Sequence, residues 1–287
     1  MTSSAARSAL RERLRSDTPL VVPGCFDALS ALLVQASGFE AVVVSGFGVS
    51  ASLLGQPDAE LYTATEMVTA CRHVARRVSI PVLADADNGY GNAINVMRTV
   101  ADLEQAGVAS ITLEDQRSPK RCPLISTSSD LVSVEEACGK LRAALHARRD
   151  PAMLIVARTD ARDEAQALHR ARAYAAAGAD AIKIISPVLA RHAFLGELRA
   201  AMGGKPVFIS SLGWAATQDA RSFHGLASVI THPLLPLATA ASAMRANLDA
   251  LRANGPLPVA PLGVPAIEHL LGLEAIQRCE EAFLPSP

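Results

Sequence analysis

The chain has 287 residues and a formal net charge of -1, and half of its residues are hydrophobic. One (β/α)8 barrel of about 250 residues, or two smaller domains, would fit this length. Because the charges are nearly balanced, no basic patch or acidic tail indicates a nucleic-acid partner. Aromatic residues, at 4%, are also too few to favour base stacking. No apolar run is long enough for a membrane helix, so we expect no membrane partner.

The beginning of the chain, MTSSAARSALRERLRSD, is polar and lacks the apolar centre of a signal peptide. The five cysteines are odd in number and scattered, without a CxxC pair. Such cysteines are typical of a reducing compartment. We therefore predict a cytoplasmic protein.

Four segments share one pattern, in which a glycine precedes two variable residues, an Ala or Ser, and a β-branched, apolar run. They are 38-GFEAVVVS-45, 107-GVASITLE-114, 178-GADAIKII-185 and 225-GLASVITH-232. Each follows an Ala-rich helical stretch, so the glycine suits a helix C-cap. The apolar run is typical of a strand buried on both faces of a parallel sheet.

Four more apolar runs fill the intervals between these segments. They are 19-PLVVP-23, 81-PVLAD-85, 152-AMLIVAR-158 and 206-PVFISS-211. Helical patterns separate the runs, and Ser133 and Glu136 have the spacing of a capping box at the start of one helix. Eight strands alternating with helices predict the α/β fold class, as a TIM-type (β/α)8 barrel over residues 1–254. An open doubly wound sheet is the alternative.

One helical segment is surplus to the barrel. It is 264-VPAIEHLLGLEAIQRCEEAF-283, and it follows the Pro-rich stretch 255-GPLPVAPLGVP-265. We predict that residues 255–287 form a linker and an extra C-terminal helix of the same domain. From the residues alone, this helix could pack on a neighbouring subunit or on its own barrel.

Catalytic groups of such barrels lie at the C-terminal ends of the strands. The predicted strand ends and the loops after them supply four carboxylates, one arginine and one histidine: Asp58, Asp85, Asp87, Glu114, Arg158 and His232. Oxygen ligands suit Mg²⁺ or Mn²⁺ better than zinc. A divalent cation would also explain why two aspartates lie side by side, because it would offset their mutual repulsion.

Other interpretations of these residues stay open. Asp85 and Asp87 could be ordinary strand-end and turn residues. Asp160 and Asp163 are predicted to start a helix, not to bind a ligand. Lys183 lies within a strand, where it could line the pocket or face away from it.

Several segments together resemble the isocitrate lyase/phosphoenolpyruvate mutase superfamily. They are 45-SGFGVSASLLGQPDAE-60, 84-ADADNGYGN-92, 113-LEDQ-116, 119-PKRC-122 and 157-ARTDA-161. The resemblance extends from about Gly24 to the eighth strand, and the ADAD segment with the downstream LED is its specific part. It implies a Mg²⁺ site and an α-oxycarboxylate or enolate intermediate. It also implies a homotetramer in which the last helix is exchanged between subunits.

The resemblance assigns the metal residues by position. Asp85 would bind Mg²⁺ directly, and Asp87 and Glu114 would bind it largely through water. Asp58 would lie near the metal-bound waters.

The resemblance also assigns the residues that hold a small carboxylic-acid substrate. Ser45 and the amides of Gly46 and Phe47 would hold the substrate carboxylate and the C2 oxygen. Arg158 would pair with the carboxylate.

A gating loop is implied at Lys120, Arg121 and Cys122. The isocitrate and methylisocitrate lyases continue this loop with Gly-His and use its cysteine as a base, whereas Pro123 and Leu124 follow here. The phosphonate-handling mutases have a Thr-Asn-Ser type of gate, which is absent as well.

The end of the sixth strand departs from the lyases too, because Ile185 stands where they carry a Glu. Losing both polar anchors argues against a tricarboxylate substrate. The segment 130-DLVSVEEACGKLRAALHARRDP-151, with a histidine near the end of strand eight, is most similar to the oxaloacetate decarboxylase branch. In that branch a strand-eight histidine lies in the pocket, and His232 is the candidate. Its alternative is a structural histidine before Pro233.

The sequence therefore predicts a Mg²⁺-dependent carbon–carbon lyase acting on a small 2-oxo or 2-hydroxy dicarboxylate, with oxaloacetate decarboxylation as the first expectation. A retro-aldol lyase of methylisocitrate or dimethylmalate type, with Cys122 as base, is the alternative within the fold. A phosphonomutase-like member and a barrel that binds a carboxylate without turnover are the remaining alternatives.

Overall fold

The computed structural model describes residues 2–123, 125–126, 130–185 and 188–284, so Leu124, which follows the predicted gate, lies outside the described residues. Eight parallel strands close into one barrel in chain order, which confirms the predicted (β/α)8 fold. The strands are β1 (Leu20–Cys25), β2 (Val42–Val44), β3 (Val82–Asp85), β4 (Ser110–Glu114), β5 (Leu154–Thr159), β6 (Ala181–Ile184), β7 (Val207–Ser210) and β8 (Val229–His232).

Helices precede, separate and follow the strands. They are α1 (Ser3–Arg13), α2 (Ala28–Ala36), α3 (Gly46–Val49), α4 (Ala64–Arg77), α5 (Ala93–Ala106), α6 (Val134–Ala147), α7 (Glu164–Ala176), α8 (His192–Ala201), α9 (Leu235–Arg252), α10 (Val264–Leu271) and α11 (Leu273–Phe283). Short π and 3₁₀ segments occupy Ser50–Leu54, Gly213–Thr217 and Ala220–Phe223. None of these described helices combines the length and apolarity needed to cross a membrane.

Local sequence signals explain where the helices begin and end. The side chain of Ser133 accepts a hydrogen bond from the Glu136 amide and caps the start of α6, which is one of the two bonds of the predicted capping box. Gly107 ends α5 with φ at 98°, and Gly178 follows α7 with φ at 103°. Both glycines belong to the repeated pattern, and this left-handed conformation is one that a side chain disfavours.

The barrel interior is apolar at its N-terminal end and polar at its C-terminal end. Alternate residues of the strands fill the lower interior: Leu20, Val22, Val43, Leu83, Val156, Phe208 and Val229. Leu10 of α1 packs into the same cluster. Closer to the C-terminal ends of the strands, the strand register places Glu114 beside Arg158 and Arg158 beside Lys183. The change from apolar to charged layers marks where a site can form.

The C-terminal segment differs from its prediction as one helix. It forms α10 and α11, and the break lies at Gly272, whose φ is 82°. A glycine in the αL conformation ends a helix and redirects the chain. The apolar periodicity that predicted one helix therefore belongs to two successive helices. Arg77 donates a hydrogen bond of 2.8 Å to the carbonyl oxygen of Leu271, so α10 lies against the barrel of its own chain. The division of the chain at residue 254 stays a prediction.

Candidate active site

Three carboxylates meet at the C-terminal ends of β3 and β4. Among the described residues, Asp85, Asp87 and Glu114 offer ligand atoms that all lie within 4.8 Å of one another. Asp85 ends β3 and Glu114 ends β4, and Asp87 has φ at 45°, which turns the chain sharply between them. A non-glycine residue in this conformation is strained and is typical of functional sites. These three residues could hold a metal ion.

The electrostatics of the cluster are those expected where a cation belongs. Burial raises the pKa of Glu114 well above its usual range and that of Asp87 to about 6. Burial also opposes ionisation of Asp85, but Lys120, Arg158 and the nearby Lys183 outweigh it and lower its pKa. Glu114 Oε1 is buried and has no hydrogen-bond partner among the described residues. A buried, unpartnered carboxylate oxygen fits a metal ligand.

The backbone opposite the cluster is shaped by a glycine. A Cβ atom on Gly46 would lie 2.4 Å from the Tyr62 hydroxyl oxygen, 3.2 Å from Asp87 Oδ1 and 3.3 Å from Asp85 Oδ2. Any side chain at this position would therefore fill the space beside the carboxylates. Tyr62 donates a hydrogen bond of 2.5 Å to Asp87 Oδ2, a contact that no sequence pattern had indicated.

The predicted gate residue Lys120 projects into the carboxylate cluster. Its Nζ lies 2.7 Å from Asp58 Oδ1 and 2.7 Å from Asp87 Oδ1, and its side chain is buried. Burial lowers the pKa of Lys120, but Asp87, Glu114 and Asp85 more than compensate and raise it. Lys120 therefore stays cationic and neutralises part of the cluster.

Glu60 fastens the gate to the loop after β3. Its carboxylate accepts hydrogen bonds from the Lys120 amide at 2.7 Å, from Ser118 Oγ at 2.9 Å and from Asn88 Nδ2 at 3.0 Å. Arg121 follows with an exposed side chain, and its amide donates to Gln116 Oε1. Glu60 lay within the resembling segment, but nothing in its spacing distinguished it from a surface residue.

Arg158 is fixed on two sides by carboxylates. Its Nη1 lies 2.8 Å from Glu114 Oε2, and Asp160 accepts from its Nε at 3.1 Å and from its Nη2 at 2.7 Å. The prediction of Asp160 as a helix-start residue is therefore wrong, because the residue after β5 turns inward and is buried. Asp163 is the helix-start residue, and it caps α7 by accepting from the Gln166 amide.

A cavity opens beside the cluster and holds about 490 Å³, including its mouth. Its lining comprises Val43, Ser45, Phe47, Asp58, Asp85, Cys122, Pro123, Arg158, Lys183, Ile185, Leu212, Pro233 and Leu234. Polar residues form one side, and Ile185, Leu212 and Pro233 are apolar. Most of the residues predicted for substrate binding and catalysis therefore share one cavity.

The sequence left the positions of Lys183 and His232 relative to the pocket undecided, and the described residues show where each lies. Lys183 lines the cavity, which resolves its two interpretations in favour of the pocket. His232 is absent from the lining, whereas Pro233 is part of it. His232 pairs in register with Pro23 of β1, one residue beyond the inward-facing Val22 and Thr231 pair. Because strand residues alternate in direction, His232 points away from the interior. A catalytic role for it stays a prediction.

Comparisons with known proteins agree with this geometry. A family profile described as phosphoenolpyruvate phosphomutase matches residues 10–252. The 2,3-dimethylmalate lyase of Eubacterium barkeri is 49% identical over 181 residues, which span 62% of each chain and so less than two thirds of that relative. An oxaloacetate decarboxylase of Bradyrhizobium sp. (strain BTAi1) is 37% identical over 276 residues, 93% of this chain and 92% of that one. The structure of a phosphonopyruvate hydrolase in complex with oxalate and Mg²⁺ superimposes with a TM-score of 0.86 at 29% identity, covering 99% of this chain and all of the other.

Proposed function

Since the chain belongs to the phosphoenolpyruvate phosphomutase family and is an enzyme of the phosphoenolpyruvate mutase/isocitrate lyase superfamily, we propose that it is a Mg²⁺-dependent lyase. It would cleave a C–C bond of a small 2-oxo or 2-hydroxy dicarboxylate. The observation that carries the proposal is the carboxylate cluster beside a cavity that also contains Ser45 and Arg158.

In this proposal Asp85, Asp87 and Glu114 would hold the metal, Asp85 directly and the other two largely through water. When bound, Mg²⁺ or Mn²⁺ supplies a Lewis acid that stabilises negative charge developing on the substrate C2 oxygen. The unpartnered Glu114 Oε1 and the open space at Gly46 support this assignment.

The substrate is held by residues around the cluster. Ser45 and the amides of Gly46 and Phe47 hold the C1 carboxylate and the C2 oxygen. Arg158 orients a carboxylate by charge-assisted hydrogen bonds. On the side of the gate, Lys120 and Asp58 neutralise each other's charge, since they already form an ion pair.

Two reactions fit this arrangement. In the first, the C3–C4 bond of oxaloacetate breaks, carbon dioxide leaves, and C3 takes up a proton from water or from Cys122. The apolar positions Ile185, Leu212 and Pro233 support it, because they leave no anchor for a third carboxylate.

In the second reaction a 2-hydroxy dicarboxylate loses its hydroxyl proton and its C2–C3 bond breaks. The bonding pair moves onto the C3 carboxylate, and C3 then gains a proton, which balances the one that the hydroxyl lost. Cys122 lines the cavity and His232 does not. This position of the acid–base groups supports the retro-aldol reaction better than a decarboxylation assisted by His232. The apolar wall also suits methyl substituents. We propose a hydroxy acid of dimethylmalate type as the first substrate to test.

The test is an NMR time course of purified protein with Mg²⁺ and oxaloacetate, dimethylmalate, methylisocitrate or phosphonopyruvate. A chelated sample and an Asp85→Ala variant serve as controls, because free Mg²⁺ decarboxylates oxaloacetate by itself. Cleavage of one acid that stops in both controls would support the lyase. Binding of these acids without any product would support a non-enzymatic barrel instead.

A cysteine substitution distinguishes the two reactions. Cys122→Ser should abolish retro-aldol cleavage, and it should cost decarboxylation far less because water can protonate C3. The matched control is Cys279→Ser, which changes an exposed thiol on α11. If Cys122→Ser left cleavage of the hydroxy acid unchanged, the assignment of Cys122 would be wrong.

The assembly is a further part of the proposal. We propose a homotetramer in which the α10–α11 segment is exchanged between subunits, so that the contact of Arg77 with the Leu271 carbonyl oxygen would form with the neighbouring chain instead of within one chain. Exposed apolar side chains on that segment support it, among them Val264, Ile276 and Phe283. Exposed apolar side chains grouped on one segment favour an intersubunit contact.

A further inference from the structure

Lys183 is a cation inside the barrel that the proposed reaction has not used so far. It lies in register beside Arg158 of β5 and Phe208 of β7, so its side chain leaves the strand on the inward face. Phe208 belongs to the apolar interior below. Lys183 is only 6% exposed and lines the cavity together with Asp85 and Arg158. Its amine therefore lies at the floor of the cavity, between the apolar layers and the carboxylate cluster.

The amine of Lys183 lacks a partner among the residues that the structure describes. No hydrogen bond or ion pair joins its Nζ to any of them. A buried ammonium group without a partner is costly, because protein does not replace the water that it loses. Burial accordingly lowers the pKa of Lys183 to about 8, although Asp85 acts in the opposite direction.

The neighbouring carboxylates do not need Lys183 for charge balance. The other buried cations of the site already pair with them, Lys120 with Asp58 and Asp87, and Arg158 with Glu114 and Asp160. Asp85 remains, and it is the proposed direct metal ligand. An anion that enters the cavity would give Lys183 the partner that the described residues do not supply.

We propose that Lys183 binds the distal carboxylate of the substrate, the one attached to C3, and thereby makes the enzyme selective for 2-hydroxy dicarboxylates. This inference rests on the proposed function. Arg158 and Lys183 are the two cations among the described residues of the cavity lining, and the wall of Ile185, Leu212 and Pro233 offers none.

The chemistry of the two candidate reactions makes this contact selective. During C2–C3 cleavage, negative charge moves onto the C3 carboxylate, and a fixed ammonium group stabilises it as it develops. During decarboxylation, the distal carboxylate must lose its charge and leave as carbon dioxide. A cation that holds this group stabilises the ground state and slows the loss. Lys183 therefore favours retro-aldol cleavage over decarboxylation.

The test compares two ligands that differ in one carboxylate. Isothermal titration calorimetry of the Mg²⁺-loaded protein measures the affinity for malate and for 2-hydroxybutyrate, in which a methyl group replaces the distal carboxylate. We expect the wild type to prefer malate by about 10–100-fold, the size of one charge-assisted hydrogen bond. Lys183→Met should abolish the preference and leave 2-hydroxybutyrate binding unchanged, and Lys183→Arg should keep part of it.

The control variant is Lys205→Met, whose amine donates to the Ala175 and Ala179 carbonyl oxygens and which is not among the residues that line the cavity. It should keep the full preference for malate. If Lys183→Met weakened both ligands equally, or kept the preference, Lys183 would be a structural charge and the inference would be overturned. Failure of the proposed function is a separate result, because the binding ratio does not require turnover.

Discussion

Asp160 fixes Arg158 through both carboxylate oxygens, with hydrogen bonds of 3.1 Å to Nε and 2.7 Å to Nη2. Asp160 is itself held by Asp115, the residue after β4, because the Asp160 amide donates a hydrogen bond of 3.0 Å to Asp115 Oδ1. Asp115 in turn accepts from Tyr174 and Arg170 of α7. A chain of buried hydrogen bonds thus connects the packing of α7 with the orientation of the guanidinium group in the cavity.

Removing the charge of Asp160 should therefore impair catalysis without unfolding the barrel. Asp160→Asn keeps the shape but weakens both hydrogen bonds to Arg158, and we expect kcat/KM to fall by about 10–100-fold. Steady-state kinetics on the substrate identified by NMR measures this. Asp163→Asn is the control, since Asn also caps helices well, and it should leave kcat/KM unchanged. Equal rates for Asp160→Asn and the wild type would show that Arg158 needs no such support.

The space at Gly46 should be essential for metal binding. Gly46→Ala places a Cβ against the Tyr62 hydroxyl and both aspartates, so we expect Mn²⁺ affinity to fall by at least about 10-fold. Titration calorimetry with Mn²⁺ measures the affinity. Adding Tyr62→Phe removes the closest contact, and the double variant should recover part of the loss.

Gly139→Ala is the matched control for this series. Gly139 lies within α6, and a Cβ there meets nothing within 4 Å. This substitution should keep metal binding and raise the free energy of unfolding by up to about 1 kcal/mol. Unchanged Mn²⁺ affinity in Gly46→Ala would contradict the position of the metal site.

The lowered pKa of Lys183 predicts how stability depends on pH. It is about 8 in the folded protein and about 10.4 in an unfolded chain. Between these values the unfolded chain binds more protons, so the contribution of Lys183 to the free energy of unfolding rises with pH and is constant below about 8. Urea unfolding of wild type and Lys183→Met at pH 7.5, 9 and 10 measures it. The difference between the two should change by roughly 2–3 kcal/mol over this range, and a constant difference would contradict the lowered pKa of Lys183.

Removing residues 255–287 should lower the oligomeric state. The deletion removes α10 and α11, whose exposed apolar side chains we propose as the exchanged contact. Size-exclusion chromatography with light scattering should show a tetramer for the full chain and a smaller species for the deletion. Circular dichroism should show that the barrel is retained. A deletion variant that kept its full oligomeric mass would exclude the exchange.

Much of the site could be predicted because its signals are local. Asp85, Asp87 and Glu114 each stand at a strand end that periodicity identifies, and parallel strands bring such ends together. The partners of these residues could not be predicted in the same way. Tyr62 reaches Asp87 from another loop, and Asp160 looked like a helix start because a carboxylate before a helix usually caps it.

The sequence by itself determined eight buried strands alternating with helices, and this pattern favoured a barrel over an open sheet; the closure itself is seen in the structure. The sequence also determined the carboxylates at the strand ends and the residue types available for catalysis. Only the tertiary structure decided which side chains share the cavity. It directed Lys183 inward and His232 away, and it ended α10 at Gly272. The physical reason is that periodicity records the average environment of a segment, whereas the direction of one side chain depends on strand register and on contacts that close only when distant elements pack together.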